Sequence, residues 1–264
     1  MPECLLMPLS RKRQSFLIKN LYVKSSFIFE IRKAIRHHTG LTHFLKLECL
    51  NLCTYVHNIM YAEPLTKTSV EILVHLSSKI RESFTVRQIA NAIGKDYKIS
   101  HVMTMRLAEH QYIIAEKKPP VTYCKLNLKG NSSLLAYIEG VRANRFFAKN
   151  RDLKILVNDI LSQFDSPFFT LIIFGSYVKG TASRKSDLDV LFIIPDTTME
   201  KEVSSAIGSI EHISPIGLHE IVLTSRTFAD LLKQKTANVA WEAVDNRIVP
   251  YGAEALFKML EATL

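Results

Sequence analysis

Two acids two residues apart, Asp187 and Asp189, stand at the head of an apolar run that ends at Ile194. In an extended segment, residues two apart point to the same side, so both carboxylates share a face. Such a pair forms a hard oxygen site suited to Mg²⁺. Without a cation the two charges repel each other. Upstream, Gly175-Ser176 follows a second apolar run, Phe168 to Phe174, and the ten residues Tyr177 to Ser186 separate it from the acids. Gly175 lets the backbone turn sharply and approach a ligand. Ser176 then opens a helix whose free N–H groups and hydroxyl can hold phosphate oxygens. A cation on the acids would bridge phosphate oxygens and neutralise charge building on departing pyrophosphate. Lys179, one turn along that helix, can pair with phosphates. Arg184 and Lys185, in the loop before the acids, meet triphosphate or acceptor, or else belong to a solvated loop.

These residues need strands to carry them. The β-branched and aromatic content of Phe168–Phe174 favours a buried strand. The second strand begins at the acids, with Leu188, Val190, Phe192 and Ile194 filling its opposite face as core. A third strand is expected over Leu218–Thr224, with Glu220 its only acid. Helices are expected from about Asn131 past Phe146 and over about Asp152–Phe164. The tail, Phe228–Leu264, reads as helices broken at Val249-Pro250-Tyr251-Gly252.

A Gly-Ser turn, ten residues and Asp-x-Asp between two apolar strands resembles the DNA polymerase beta-like nucleotidyltransferase superfamily, over about Phe168–Leu264. The resemblance implies Mg²⁺-dependent transfer of a nucleoside monophosphate from a nucleoside triphosphate, ATP favoured, to an acceptor hydroxyl. It implies catalytic and metal-binding roles for Asp187 and Asp189. It also implies a third carboxylate on a neighbouring strand, carried here onto Glu220, with His219 as the alternative residue facing the site. Gly175, Ser176 and Lys179 would hold the triphosphate. Minimal members include protein-nucleotidylating antitoxins and antibiotic modifiers, so protein, small molecule and nucleic acid all stay open as acceptor. No large acceptor-binding module is expected after the tail.

Pro64 marks a boundary, and from Thr68 to about Asn127 the pattern is compact. A first helix carries Val70, Ile72, Leu73, Val74 and Leu76. Thr85 reads as an N-cap with Gln88 at the capping-box position, and Gly94 ends that short helix. A further helix runs from about Ile99 to Glu109. A strand over Tyr112–Glu116, a turn at Lys117–Pro120 and a strand over Val121–Leu126 follow. This order resembles a winged helix-turn-helix, of the kind found beside nucleotidyltransferase domains in prokaryotes. On that resemblance Lys95, Lys98, His101, Thr104 and Arg106 lie on or near a helix entering the major groove, and Lys117 and Lys118 lie on the wing. A protein-docking role is the other reading of this region.

The chain has 264 residues and a formal net charge of +9, which suits polyanionic partners such as nucleic acid or nucleoside triphosphates. Its four cysteines are too sparse for a disulfide framework. Cys49, Cys53 and His57 align on one helix face, which reads as mixed apolar surface rather than zinc, for want of a fourth ligand. No apolar run of membrane-spanning length appears, and no secretory pattern opens the chain, so the cytoplasm is expected. The expected fold is α+β: a basic extension over 1–63, a winged helix-turn-helix over 64–130, and a small mixed-sheet α/β nucleotidyltransferase domain with connecting helices over 131–264. The rival functions are a DNA-binding transcriptional regulator that senses nucleotide and an antitoxin-like partner protein.

Overall fold

The computed structural model describes residues 65–264 apart from Arg184, Ile213 and Lys235. The basic extension and the Cys49, Cys53 and His57 face lie outside the described residues. Helix α1 (Lys67–Ser78) starts at Thr66, whose hydroxyl accepts from Ser69 N at 3.1 Å. Its inner face buries Ile72, Leu73 and Leu76. Strand β1 (Phe84–Thr85) leads into α2 (Val86–Ile93) through a capping box in which Thr85 and Gln88 satisfy each other's backbone N–H groups. Gly94, in the left-handed region at φ 62°, ends the helix. Helix α3 (Tyr97–Glu109) begins earlier than expected, because Asp96 accepts from Lys98 N at 2.8 Å and caps it. Strands β2 (Ile113–Lys118) and β3 (Val121–Leu126) complete an antiparallel sheet in the order β1-β3-β2.

Helices α4 (Ser132–Lys149) and α5 (Arg151–Leu161) lead to β4 (Thr170–Phe174), which is buried along its length. The short helix α6 (Gly175–Lys179) and a loop connect β4 to β5 (Leu188–Ile194). Helix α7 (Glu200–Glu211), β6 (Leu218–Thr224), α8 (Ser225–Lys233) and α9 (Val239–Asp245) follow. The expected break in the tail is a strand, β7 (Ile248–Tyr251), paired antiparallel with β4. Helix α10 (Ala253–Thr263) ends the described chain. The second sheet runs β6-β5-β4-β7 and is mixed: β5 and β6 are parallel, and β4 is antiparallel to both neighbours. The described chain is therefore α+β.

Alternation along the central strands loads both faces of this sheet. Leu171, Ile173, Val190, Phe192 and Ile194 pack with Leu156, Val157, Ile160, Val203 and Ile207 on one side. Ile172, Phe174, Leu191 and Ile193 pack on the other with Phe228, Val244, Phe257 and Leu260. That second cluster continues without interruption to Leu135 and Ile138 of α4 and to Ile72, Leu73 and Leu76 of α1. Residues 65–264 accordingly form one compact unit. The central strands cannot shift without opening a core on each face, which fixes the strand ends that carry Phe174 and Asp189.

Candidate nucleotidyltransferase site

Strand pairing gathers the site from three strands. Asp189, near the start of β5, stands opposite Phe174 of β4 on one side and His219 of β6 on the other. Phe174 is the last residue before the Gly175 turn, so the turn and the carboxylate meet. Gly175 has φ +72°, and a Cβ there would fall 1.9 Å from Asp189 Oδ2. Only glycine lets the chain turn here with the carboxylate against its Cα. Gly217, without a left-handed backbone, makes room for the other acid in the same way. A Cβ on Gly217 would lie 2.1 Å from Asp187 Oδ1, and Leu188 N donates to Gly217 O at 2.8 Å.

The other Asp189 oxygen has a partner. His219 Nδ1 lies 2.9 Å from Asp189 Oδ1. Glu220 does not join the carboxylates. The parallel register sets Glu220 beside Val190, one residue out of phase with Asp189, so it lies exposed on the opposite face of the sheet. Of the two residues considered for the third position, His219 is the one brought to Asp189.

Ser176 is the second residue of α6, and its carbonyl accepts from Thr181 N at 2.9 Å as the helix closes. The loop to the acids is tied internally. Ser183 N donates to Ser186 Oγ at 2.9 Å, and Tyr177 OH donates to Ser186 O at 3.1 Å. Neither Tyr177 nor Gly217 was singled out from the sequence. Lys185 is exposed in this loop, and Arg184 lies outside the described residues. Lys179 is paired with Glu242 of α9, Nζ to Oε1 at 2.8 Å, with 41% and 48% of the two side chains exposed.

Among the described residues, no group of three or more His, Cys, Asp or Glu side chains is placed to hold a metal ion. Asp187 and Asp189 are two carboxylates at the head of β5, each lying against a glycine, Gly217 and Gly175 respectively. That pair fits Mg²⁺, which commonly takes one or two carboxylates and completes its shell with water and substrate phosphates. A cavity of about 420 Å³ is lined by Lys79, Arg81, Glu82, Asp245 and Asn246, none of them a residue of the turn or the acid pair. Its cations face carboxylates already, with Lys79 at 3.6 Å from Glu82 and Arg81 bonded to Asp245. The chemistry therefore points to the turn rather than to the cavity.

Residues 155–246 match the family model of a nucleotidyltransferase domain. The match runs from within α5 to the end of α9 and encloses the Gly175 turn, both aspartates and His219. It supports the nucleotidyltransferase superfamily for this segment, and with it nucleotidyl transfer in general. No curated protein and no solved structure matches the chain significantly. Among the described residues no helix is long and apolar enough to cross a membrane.

The residues expected to meet nucleic acid divide. Lys95, Lys98, His101, Arg106, Lys117 and Lys118 are exposed. Lys118 pairs with Glu116 at 2.9 Å. Thr104 cannot take part. It is fully buried with Ser100 and Leu107, because positions i, i+4 and i+7 share the inner face of α3. The outer face of α3 carries Tyr97, Ile99 and Val102 beside the basic side chains, each about half exposed.

Proposed function

We propose that the protein is a nucleotidyltransferase that moves a nucleoside monophosphate from a nucleoside triphosphate, ATP favoured, to an acceptor hydroxyl. The observation that carries this is the meeting of Asp189 with the Gly175 turn, across paired strands, inside the segment that matches the family model. The acceptor oxygen attacks the α-phosphorus and forms the new O–P bond. The bond from that phosphorus to the bridging oxygen of the β-phosphate breaks, pyrophosphate leaves, and the hydroxyl proton is lost to water. Asp187 and Asp189 would hold Mg²⁺, which when bound supplies positive charge to the triphosphate oxygens. The turn at Gly175 lets phosphate oxygens approach the backbone, and the N–H and hydroxyl of Ser176 donate to them. Lys179 serves the phosphates by exchanging Glu242 for them. An exposed pair of this kind contributes about 1 kcal/mol or less, so a polyanion can displace it. The acceptor is a protein, small-molecule or nucleic-acid hydroxyl.

The test is incubation with α-³²P-labelled nucleoside triphosphates, Mg²⁺ and cell extract. Label should enter an acceptor with the wild-type chain and not with Asp187→Ala/Asp189→Ala. Absence of transfer to any macromolecule or small molecule sinks the proposal.

A second reading concerns residues 65–126 and is compatible with the first. The order of helices and strands, the β1-β3-β2 sheet and the exposed cations of α3 and the β2–β3 tip favour a winged helix that binds DNA or RNA. Fluorescence anisotropy with a labelled duplex at rising salt tests it. Binding should weaken steeply with salt and fall in Lys98→Ala and Lys117→Ala/Lys118→Ala, while Thr104→Val leaves it unchanged. Absence of salt-sensitive binding favours protein docking through Tyr97, Ile99 and Val102, and with it a partner-protein role.

A further inference from the structure

His219 occupies the place beside Asp189 where a third acid was expected, and its geometry there is specific. The two residues are register partners on adjacent parallel strands, so their side chains leave the sheet on the same face. A carboxylate oxygen accepts, so the 2.9 Å contact has His219 Nδ1–H donating to Asp189 Oδ1. The second oxygen, Oδ2, then lies against Gly175 at the mouth of the turn. Asp189 is therefore held at Oδ1 by His219 and packed at Oδ2 against the Gly175 turn, with part of its side chain still exposed. The pair is asymmetric in exposure: the His219 side chain is 60% exposed and that of Asp189 26%. Replacing His219 thus removes a hydrogen bond without opening a core.

We infer that His219 is the positioning residue of the carboxylate pair: by holding Oδ1 it turns Oδ2 of Asp189 toward the Gly175 turn, ready to take a divalent cation there. The inference rests on the nucleotidyltransferase reading of the site and adds to it which side chain orients the ligand. His219 acts through Asp189, from outside the cation's shell. Partners of this type set ligand orientation, and removing one typically lowers metal affinity about 10-fold to 100-fold.

The side chains of Asn and Gln separate this role from direct ligation. The Asn amide nitrogen sits where Nδ1 of histidine sits and can donate to Asp189, whereas the Gln amide reaches the place of Nε2, where its oxygen can ligate a cation. The experiment is titration of the full-length, metal-free chain with Mn²⁺, read by electron paramagnetic resonance. The set is wild type, His219→Ala, His219→Asn, His219→Gln and Asp187→Ala/Asp189→Ala, each checked for an unchanged circular-dichroism melt. Wild type should bind and the double aspartate variant should not. His219→Ala and His219→Gln should bind about 10-fold or more weakly, and His219→Asn should bind close to wild type. In the metal-free wild type, long-range ¹H–¹⁵N spectra should show the Nδ1-protonated tautomer of His219, shifted in Asp189→Ala.

Wild-type affinity in His219→Ala, with binding still lost in the aspartate variant, overturns the inference and leaves the metal site standing. Rescue by Gln and not by Asn makes His219 a direct ligand through Nε2 and also overturns it. Binding unaffected by the aspartate substitutions removes the metal reading itself, and the inference with it.

Discussion

Gly175 is the residue on which the turn and the placement of Asp189 both depend. A side chain there meets two obstacles, the left-handed backbone at φ +72° and the Asp189 carboxylate 1.9 Å from any Cβ. The backbone alone costs a non-glycine residue roughly 1–2 kcal/mol. Gly175→Ala should lose at least that much stability in urea denaturation, and should lose label transfer as Asp189 is pushed aside. Unchanged stability and activity would show that the carboxylate is not where the strand pairing holds it. The meeting of Gly175 with Asp189 was legible in the sequence, because a glycine turn after one strand and an acid at the head of the next are local requirements. Glu220 was not. It is the only acid of β6, but which side of the sheet it occupies depends on pairing with β5, and a parallel register is set by packing distant in sequence. A one-residue difference sends Glu220 to the far face and brings His219 to Asp189. Thr104 differs for a similar reason: the winged-helix resemblance puts it on or near the recognition helix, while helical phase buries it.

At the scale of elements, the signals that carried over were those with a local mechanism. The Thr85–Gln88 capping box and Gly94 bounded α2 as their types require. Helix α3 begins two residues before the expected Ile99, because Asp96 caps it. The break expected at Val249-Pro250-Tyr251-Gly252 is strand β7, which is short and lies at the sheet edge, where Pro250 is tolerated. Helix α1 has a pH-dependent consequence. Burial holds the pKa of His75 below its ordinary 6.5, its ring packs 4.7 Å from that of Phe84, and its Nε2 has no hydrogen-bond partner. The unfolded chain therefore takes up this proton at higher pH than the folded one. The neutral histidine's contribution is intact above pH 6.5 and is lost as pH falls through the folded value. Thermal melts from pH 8 to pH 5 should show that loss in wild type and a shallower one in His75→Leu. Identical slopes would mean that His75 is as well solvated folded as unfolded.

At the scale of the whole described unit, one buried polar network joins its parts. Arg247 is fully buried. It donates to Ser77 O of α1 at 2.8 Å and to Val244 O at 2.7 Å, and its Nε lies 3.4 Å from Glu139 Oε2. Arg142 donates to both Glu139 oxygens at 2.7 Å and to Arg247 O at 3.0 Å. Burial lowers the Arg247 guanidinium to about 10, still charged at neutral pH, with Glu139 opposing the shift. Breaking one partner of such a pair costs about 3–5 kcal/mol. Glu139→Gln should lose stability on that scale in denaturant titration, whereas a loss under 1 kcal/mol would mean that water reaches the network. Because the apolar cluster runs from α1 to β4 and α10, probes in α1–β3 and in the mixed sheet should report a single unfolding transition. The central claim is that the Gly175–Asp189 turn transfers the nucleotidyl group. The most direct measurement compares ATP labelled at the α-phosphate with ATP labelled at the γ-phosphate, incubated with Mg²⁺, cell extract and either the wild-type chain or Asp187→Ala/Asp189→Ala. The expected result is acceptor labelling from α-labelled ATP alone, γ-label recovered in pyrophosphate, and neither in the double variant. Acceptor labelling from the γ-position, or α-label transfer that survives the loss of both aspartates, would contradict it.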